Sequence, residues 1–161
     1  MKKEIAENFG GNLRVRVCGI LIKDNRVLMV RHKGLSASGT FWAPPGGGMK
    51  FGLSSSECLK NEFREETGLI IEVEELLFVN EFHMHPLHAI ELYFKVKQTG
   101  GRLITGYDPE LKPDQQIIDK VQFFSNKDIQ QHQGPQIHSI FHHVTRPEQL
   151  LNLKGYFQNW K

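Results

Sequence analysis

The sequence predicts an α/β protein built on a mixed β-sheet with helices packed on its faces. Three observations carry this: alternating stretches rich in Val, Ile and Leu at 13–23 and 88–98, one helical segment between them marked at both ends, and a length of 161 residues. That length suits one domain burying about two-thirds of its unfolded surface. No internal repeat or low-complexity tract interrupts the pattern, so residues 1–161 are expected to form a single domain.

The elements follow in order. Residues 13–23 alternate, Asp24-Asn25 supplies turn chemistry, and 26–32 completes a strand pair. A polar loop at 33–40 leads to a short strand, Phe41-Trp42-Ala43, and then to Pro44-Pro45-Gly46-Gly47-Gly48, read as a loop with fixed entry and permissive exit. After the helix, 69–82 reads as one or two strands and 88–98 as another, with Gly100-Gly101 expected to turn the chain. Residues 108–114 are acidic and contain Pro, hence a loop. A last strand at 120–125 precedes short helical stretches near 126–131 and 147–153.

The segment 54–67 contains neither Pro nor Gly and is closed by Gly68, the residue type that ends helices in the left-handed conformation. Ser54 followed by Glu57 is a capping box. At about 100° per residue, Glu62, Glu65 and Glu66 project from one arc beside an apolar or small stripe of Ser56, Leu59 and Phe63. Like charges at these spacings cost roughly 0.2–0.5 kcal/mol per pair, and carboxylates near a helix C-terminus oppose the macrodipole at about 0.3–1 kcal/mol each. A divalent cation removes that cost, because Mg²⁺ takes oxygen ligands from carboxylates and substrate phosphates. The bland alternative is a solvated acidic face.

The glycines upstream stand in register with these acids, and together they resemble the Nudix hydrolase family. Its box is a Gly, five residues, Glu, seven residues, then Arg-Glu-U-x-Glu-Glu-x-Gly-U, with U apolar. With Gly47 as the first glycine, Glu62, Phe63, Glu65, Glu66, Gly68 and Leu69 fall on their family positions without a gap. Leu53 stands where the family has its first Glu, and Asn61 where it has Arg. Two readings of this departure stay open: an alternative packing in which Leu53 is buried, or weakened catalysis. The resemblance covers about 14–129.

The resemblance implies an α/β/α sandwich with a mixed sheet and Mg²⁺- or Mn²⁺-dependent hydrolysis of the diphosphate linkage in a nucleoside diphosphate derivative. Carried over by position, Glu62 and Glu66 are the leading metal ligands. Glu65 is a further ligand or a water activator, the Gly46 carbonyl is a candidate ligand, and Glu65 and Glu66 are the catalytic candidates. Gly47 and Gly48 are candidate substrate contacts, since a glycine backbone approaches phosphates closely. The alternative is a Nudix-fold nucleotide-sensing or interaction module with little or no turnover. A later carboxylate common in the family has Asp108, Glu110 and Asp114 as candidates, although Gln115 and Gln116 occupy the first place to look. A homodimer is common for the fold.

Outside the box, Arg31 at a strand end is a candidate phosphate ligand because its fork suits phosphate oxygens, set against a plain surface Arg. Trp42, Phe78 and Phe82 are candidates to stack on a base, set against core packing. His83, His85 and His88 match no strong zinc spacing and read as a pocket rim, while His132, His138, His142 and His143 belong to a mobile or packed C-terminal segment. Cys18 and Cys58 read as small buried hydrophobes.

A net charge of +2, 39% hydrophobic and 24% charged residues describe an ordinary globular protein and argue against stable nucleic-acid binding. Neither a secretory hydrophobic region near the N-terminus nor an apolar run of membrane-spanning length is present, so a cytoplasmic protein with a nucleotide-like small-molecule substrate is expected.

Overall fold

The computed structural model describes residues 3–36, 39–109, 111–132 and 134–160. The chain runs α1 (Lys3–Phe9), β1 (Leu13–Ile20), β2 (Ile22–Lys23), β3 (Arg26–Lys33), β4 (Thr40–Ala43), β5 (Gly46–Gly48), α2 (Ser55–Thr67), β6 (Leu69–Met84), β7 (Leu87–Gly101), β8 (Ile118–Phe124), α3 (Asn126–Gln131) and β9 (Gly155–Trp160). Short 3₁₀ turns lie at Pro113–Gln115 and in the C-terminal segment.

One sheet is five-stranded in the order β5-β1-β7-β6-β9, with β1/β7 and β6/β9 parallel and the other pairs antiparallel. The second sheet joins β2, β4 and β8 to β3, all antiparallel. The β2–β3 turn places Asp24 and Asn25 at φ 50° and 57°, the left-handed pair that a tight hairpin requires and that Asx residues tolerate.

Alternation divides the core. Val17 and Leu28 pack with Cys58, Leu59 and Phe63 of α2, whereas their neighbours Cys18, Val27 and Met29 pack with Ile137, Ile140, Phe141 and Leu150 of the C-terminal segment. Both sides are therefore covered, which makes the protein the expected α/β fold with a mixed sheet.

Four differences from expectation have physical reasons. The glycine run is a strand rather than a loop: Arg16, Val17 and Cys18 of β1 pair with Gly48, Gly47 and Gly46. Gly100 and Gly101 end β7 instead of turning the chain, because Leu69 and Ile70 pair with them directly after α2. α1 and β9 were not anticipated. Both are short, and β9 is defined by its partner, Phe78 pairing with Gly155 through His83 with Trp160, rather than by local alternation. Among the described residues no helix is long and apolar enough to cross a membrane.

Candidate active site

The acidic helix is fixed at both ends. Ser54 Oγ accepts from the Glu57 amide at 3.2 Å while Glu57 Oε2 accepts from the Ser54 amide at 2.8 Å, the expected capping box. At the C-terminus Gly68 adopts φ 73° and donates to the Arg64 carbonyl at 3.1 Å. The carbonyls that a helix end leaves unsatisfied are then taken by a later loop. Ile104, Gly106 and Tyr107 amides donate to the carbonyls of Thr67, Glu66 and Glu65 at 2.9, 2.9 and 3.1 Å. Gly106 is required there, since a Cβ would stand 1.8 Å from the Glu65 carbonyl oxygen.

β5 lies directly against the acids. The Gly46 amide donates to Glu66 Oε2 at 3.0 Å, and a Cβ on Gly47 would fall 2.3 Å from the Glu62 carboxyl carbon. On Gly48 it would meet Arg14 Nη2 at 2.6 Å. The glycines are thus cleared for side chains that cross the strand, a reason that adds to backbone freedom. The Gly46 carbonyl accepts from Arg16 Nη2 at 3.1 Å.

The electrostatics of the three carboxylates match their crowding. Burial, then Glu66 and Glu65, pushes Glu62 up to about 8. Glu66 is buried, with Oε1 3.9 Å from His32 Nε2. Among the described residues Glu65 Oε2 is buried without a hydrogen-bond donor. Among the described residues no three His, Cys, Asp or Glu side chains are already arranged to cage a metal ion. The donor chemistry nevertheless fits a hard divalent cation: all-oxygen groups, mutual repulsion, a proton held high on Glu62, and one buried oxygen without a partner.

Glu62 and Glu66 open onto a cavity that Arg14, Arg16, His32 and Lys50 supply with basic groups. Its apolar wall includes Phe9, Phe41 and Phe82, and Phe82 stacks on His138 with ring centroids 5.3 Å apart. Glu91 lies at the same cavity, with Oε2 bonded to Asn80 Nδ2 and His138 Nε2 at 2.9 Å each. Ile140 donates its amide to His138 Nδ1 at 3.3 Å, so Nε2 carries the proton given to Glu91. Burial pushes the Glu91 carboxyl up, but His138, Arg16 and Asn80 together hold it below its ordinary value.

The structure therefore brings Gly46, Gly47, Gly48, Glu62 and Glu66 to one cavity, with Glu65 beside them on the helix but outside its lining. Arg31 is not brought there. It points to the other side of β3 from His32, binds Asp119 through Nε and Nη2 at 2.7 and 3.1 Å, and stacks over Trp42. Leu53 is not buried, being 36% exposed, and Asn61 Oδ1 accepts from Arg64 at 3.5 Å. Trp42 and Phe78 are core, while Phe82 lines the cavity. His88 lines it too, and its Nε2 bonds Glu81 Oε1 at 2.9 Å. Asp108 reaches the cavity; Asp114 does not, and Glu110 lies outside the described residues. Gln116 is a brace, its amide bonded to the Asp108 backbone at 2.7 and 2.8 Å. Cys18 and Cys58 are buried free thiols. Sequence reasoning did not find Arg14, Arg16, His32, Lys50 or Glu91, and it assigned His138 to the C-terminal segment rather than to the site. The alternation of Arg14 and Arg16 with Leu13, Val15 and Val17 was the available signal.

A family model described as the NUDIX domain matches residues 12–144. The chain is 38% identical over 96 residues to an ADP-ribose pyrophosphatase of Methanocaldococcus jannaschii, covering 58% of this chain and 56% of that protein. It is 32% identical over 97 residues to a putative ADP-ribose pyrophosphatase, YjhB, of Bacillus subtilis, covering 57% and 45%. The crystal structure of a MutT protein from Methanosarcina mazei Go1 matches with a TM-score of 0.65 and 16% identity, over 86% of this chain and 92% of that one, which shows a shared fold. The chain spans about half the length of these two curated relatives.

Proposed function

The chain belongs to the Nudix family, and from that premise we propose that it hydrolyses the diphosphate linkage of a nucleoside diphosphate derivative with Mg²⁺ or Mn²⁺. The observation that carries this reading is the meeting of Glu62 and Glu66 with the glycine strand and the basic groups of Arg14, Arg16 and Lys50 at one cavity, where crowding and burial also push the Glu62 carboxyl up. Such an arrangement is costly unless a cation and an anionic substrate occupy it.

Glu62, Glu65 and Glu66 would hold the cation, which when bound would neutralise diphosphate oxygens and acidify a water. Arg14 and Lys50, which line the same cavity, would hold the diphosphate, and Gly47 and Gly48 let it approach the backbone. Glu65, beside the cavity lining with Oε2 buried and without a donor among the described residues, would serve as a further ligand or take the water's proton. Phe41, Phe82 and His138 give the nucleoside an apolar and aromatic wall. The names of the curated relatives make ADP-ribose the first substrate to try.

Hydrolysis of ADP-ribose, nucleotide sugars, dinucleoside polyphosphates and nucleoside triphosphates, each with Mg²⁺ and with Mn²⁺, tests the reading. Metal-dependent turnover of at least one, reduced about 10²-fold or more by Glu66→Gln, supports it. A second reading, ligand binding without turnover, is favoured by the exposed Leu53 and by Asn61, which replace the charged residues of the family box. Tight nucleotide binding with no product on any substrate would select it.

A further inference from the structure

The cations that act on Glu62 are Lys50 and Arg16, both from outside α2. Asn61 is neutral, and Arg64 is exposed with Nη2 directed at Asn61 Oδ1 at 3.5 Å. A guanidinium reaches the site from elsewhere. In β1, Arg16 pairs with Gly48 and its side chain lies on the cavity face, opposite to the core-facing Val17.

We propose that Arg16 is a positioning residue of the acid site, supplying from β1 the guanidinium that position 61 of α2 lacks and holding Glu66 through Gly46. This rests on the reading of Glu62, Glu65 and Glu66 as a cation site. Arg16 Nη2 donates to the Gly46 carbonyl at 3.1 Å, and the Gly46 amide donates to Glu66 Oε2 at 3.0 Å. Both polar groups of one residue are thereby committed, one to the guanidinium and one to the carboxylate. A side chain at position 46 would disturb this relay, since a Cβ there would stand 2.2 Å from the Val17 carbonyl oxygen.

Electrostatics points the same way. The buried guanidinium of Arg16 stands beside the carboxylates of Glu91 and Glu66 and acts on Glu62 as well. Arg16 also keeps its Nε donor in hand, buried and without a partner among the described residues. A lysine would carry the charge but not the planar fork that spans these positions. The Gly46 carbonyl retains a second lone pair, so bonding to Arg16 and ligation of a cation are compatible.

Mn²⁺ affinity measured by calorimetry without substrate, together with kcat and KM at saturating Mn²⁺, tests the assignment in wild type, Arg16→Ala, Arg16→Lys and Arg16→Ala/Asn61→Arg. We expect Arg16→Ala to lower Mn²⁺ affinity about 10–100-fold and kcat similarly, with KM within about twofold. Arg16→Lys should show the same loss, and it carries the test should the alanine variant not fold. An arginine at 61 stands one turn before Glu65 and should recover about tenfold of the lost affinity. Unchanged Mn²⁺ affinity in both single variants, or a rise in KM alone, overturns the inference and makes Arg16 a direct substrate contact. A wild-type chain that binds no Mn²⁺ overturns the underlying cation-site reading, and the inference with it.

Discussion

The amide of Gly46 donates to Glu66 Oε2 at 3.0 Å, joining the glycine strand to the acidic helix across twenty residues of sequence. The bond orients one carboxylate of the site before any ligand arrives. The same contact occupies one carboxylate oxygen and fixes the group against β5. Glu62 has no such donor in its immediate surroundings on β5; Gly47 offers it only space.

That space makes Gly47→Ala a test of site geometry apart from stability. The new Cβ would stand 2.3 Å from Glu62 Cδ and 2.5 Å from both carboxylate oxygens. A flexible side chain can move away, so the expected stability change is within about 1 kcal/mol. The displaced carboxylate should lower Mn²⁺ affinity about 10–100-fold. Chemical denaturation and calorimetry on the same preparation check both halves.

Gly106→Ala should behave in the opposite manner. Its Cβ would meet backbone, 1.8 Å from the Glu65 carbonyl oxygen and 2.6 Å from the Glu66 carbonyl carbon, and neither can rotate away. The loop that caps α2 must then retreat, releasing the amide bonds to the Glu65 and Glu66 carbonyls. A loss of at least about 2 kcal/mol in denaturant unfolding is expected. A loss below about 0.5 kcal/mol would show that the loop is not what holds the helix end.

The raised Glu62 carboxyl sets a pH dependence for the metal-free protein. Folded, the group keeps its proton up to about 8; unfolded, it releases it near the ordinary carboxylate value of 4.5. The folded state therefore binds more protons between these values, and stability falls as pH rises from about 5 to about 8. The Glu62→Gln variant should flatten that slope. Saturating Mg²⁺ should flatten it as well, since a cation holds the folded carboxylate ionised and neither state then carries this proton in the interval. Melting temperatures across the interval, with and without chelator, decide the matter.

What the sequence showed and what it concealed divide along local and non-local lines. Ser54, Glu57 and Gly68 mark α2 by bonds within a few residues, and the helix stands where those signals placed it. Glycines carry no β pattern, and β5 exists only because β1 pairs with it. The carbonyls of Glu65 and Glu66 are capped by residues some forty positions later, a partnership with no local trace. Parity was the remaining obstacle. Successive strand residues face opposite sides, so choosing Arg31 rather than His32, or passing over Arg14 and Arg16, turns on knowing which face lines the cavity.

Arg31→Ala tests that parity directly. Its guanidinium is committed to Asp119 on the side of β3 away from the cavity, at 2.7 and 3.1 Å, and lies over Trp42 with its central carbon 5.6 Å from the ring centroid. Removing it should cost about 1 kcal/mol of stability, because the pair is partly exposed yet bidentate. Substrate KM should stay within about twofold of wild type, whereas Arg14→Ala, which removes a cavity-lining guanidinium, should raise KM several-fold. Steady-state kinetics on the substrate with highest turnover separates the two arginines. A comparable rise in KM for Arg31→Ala would mean that β3 presents its other face to the diphosphate.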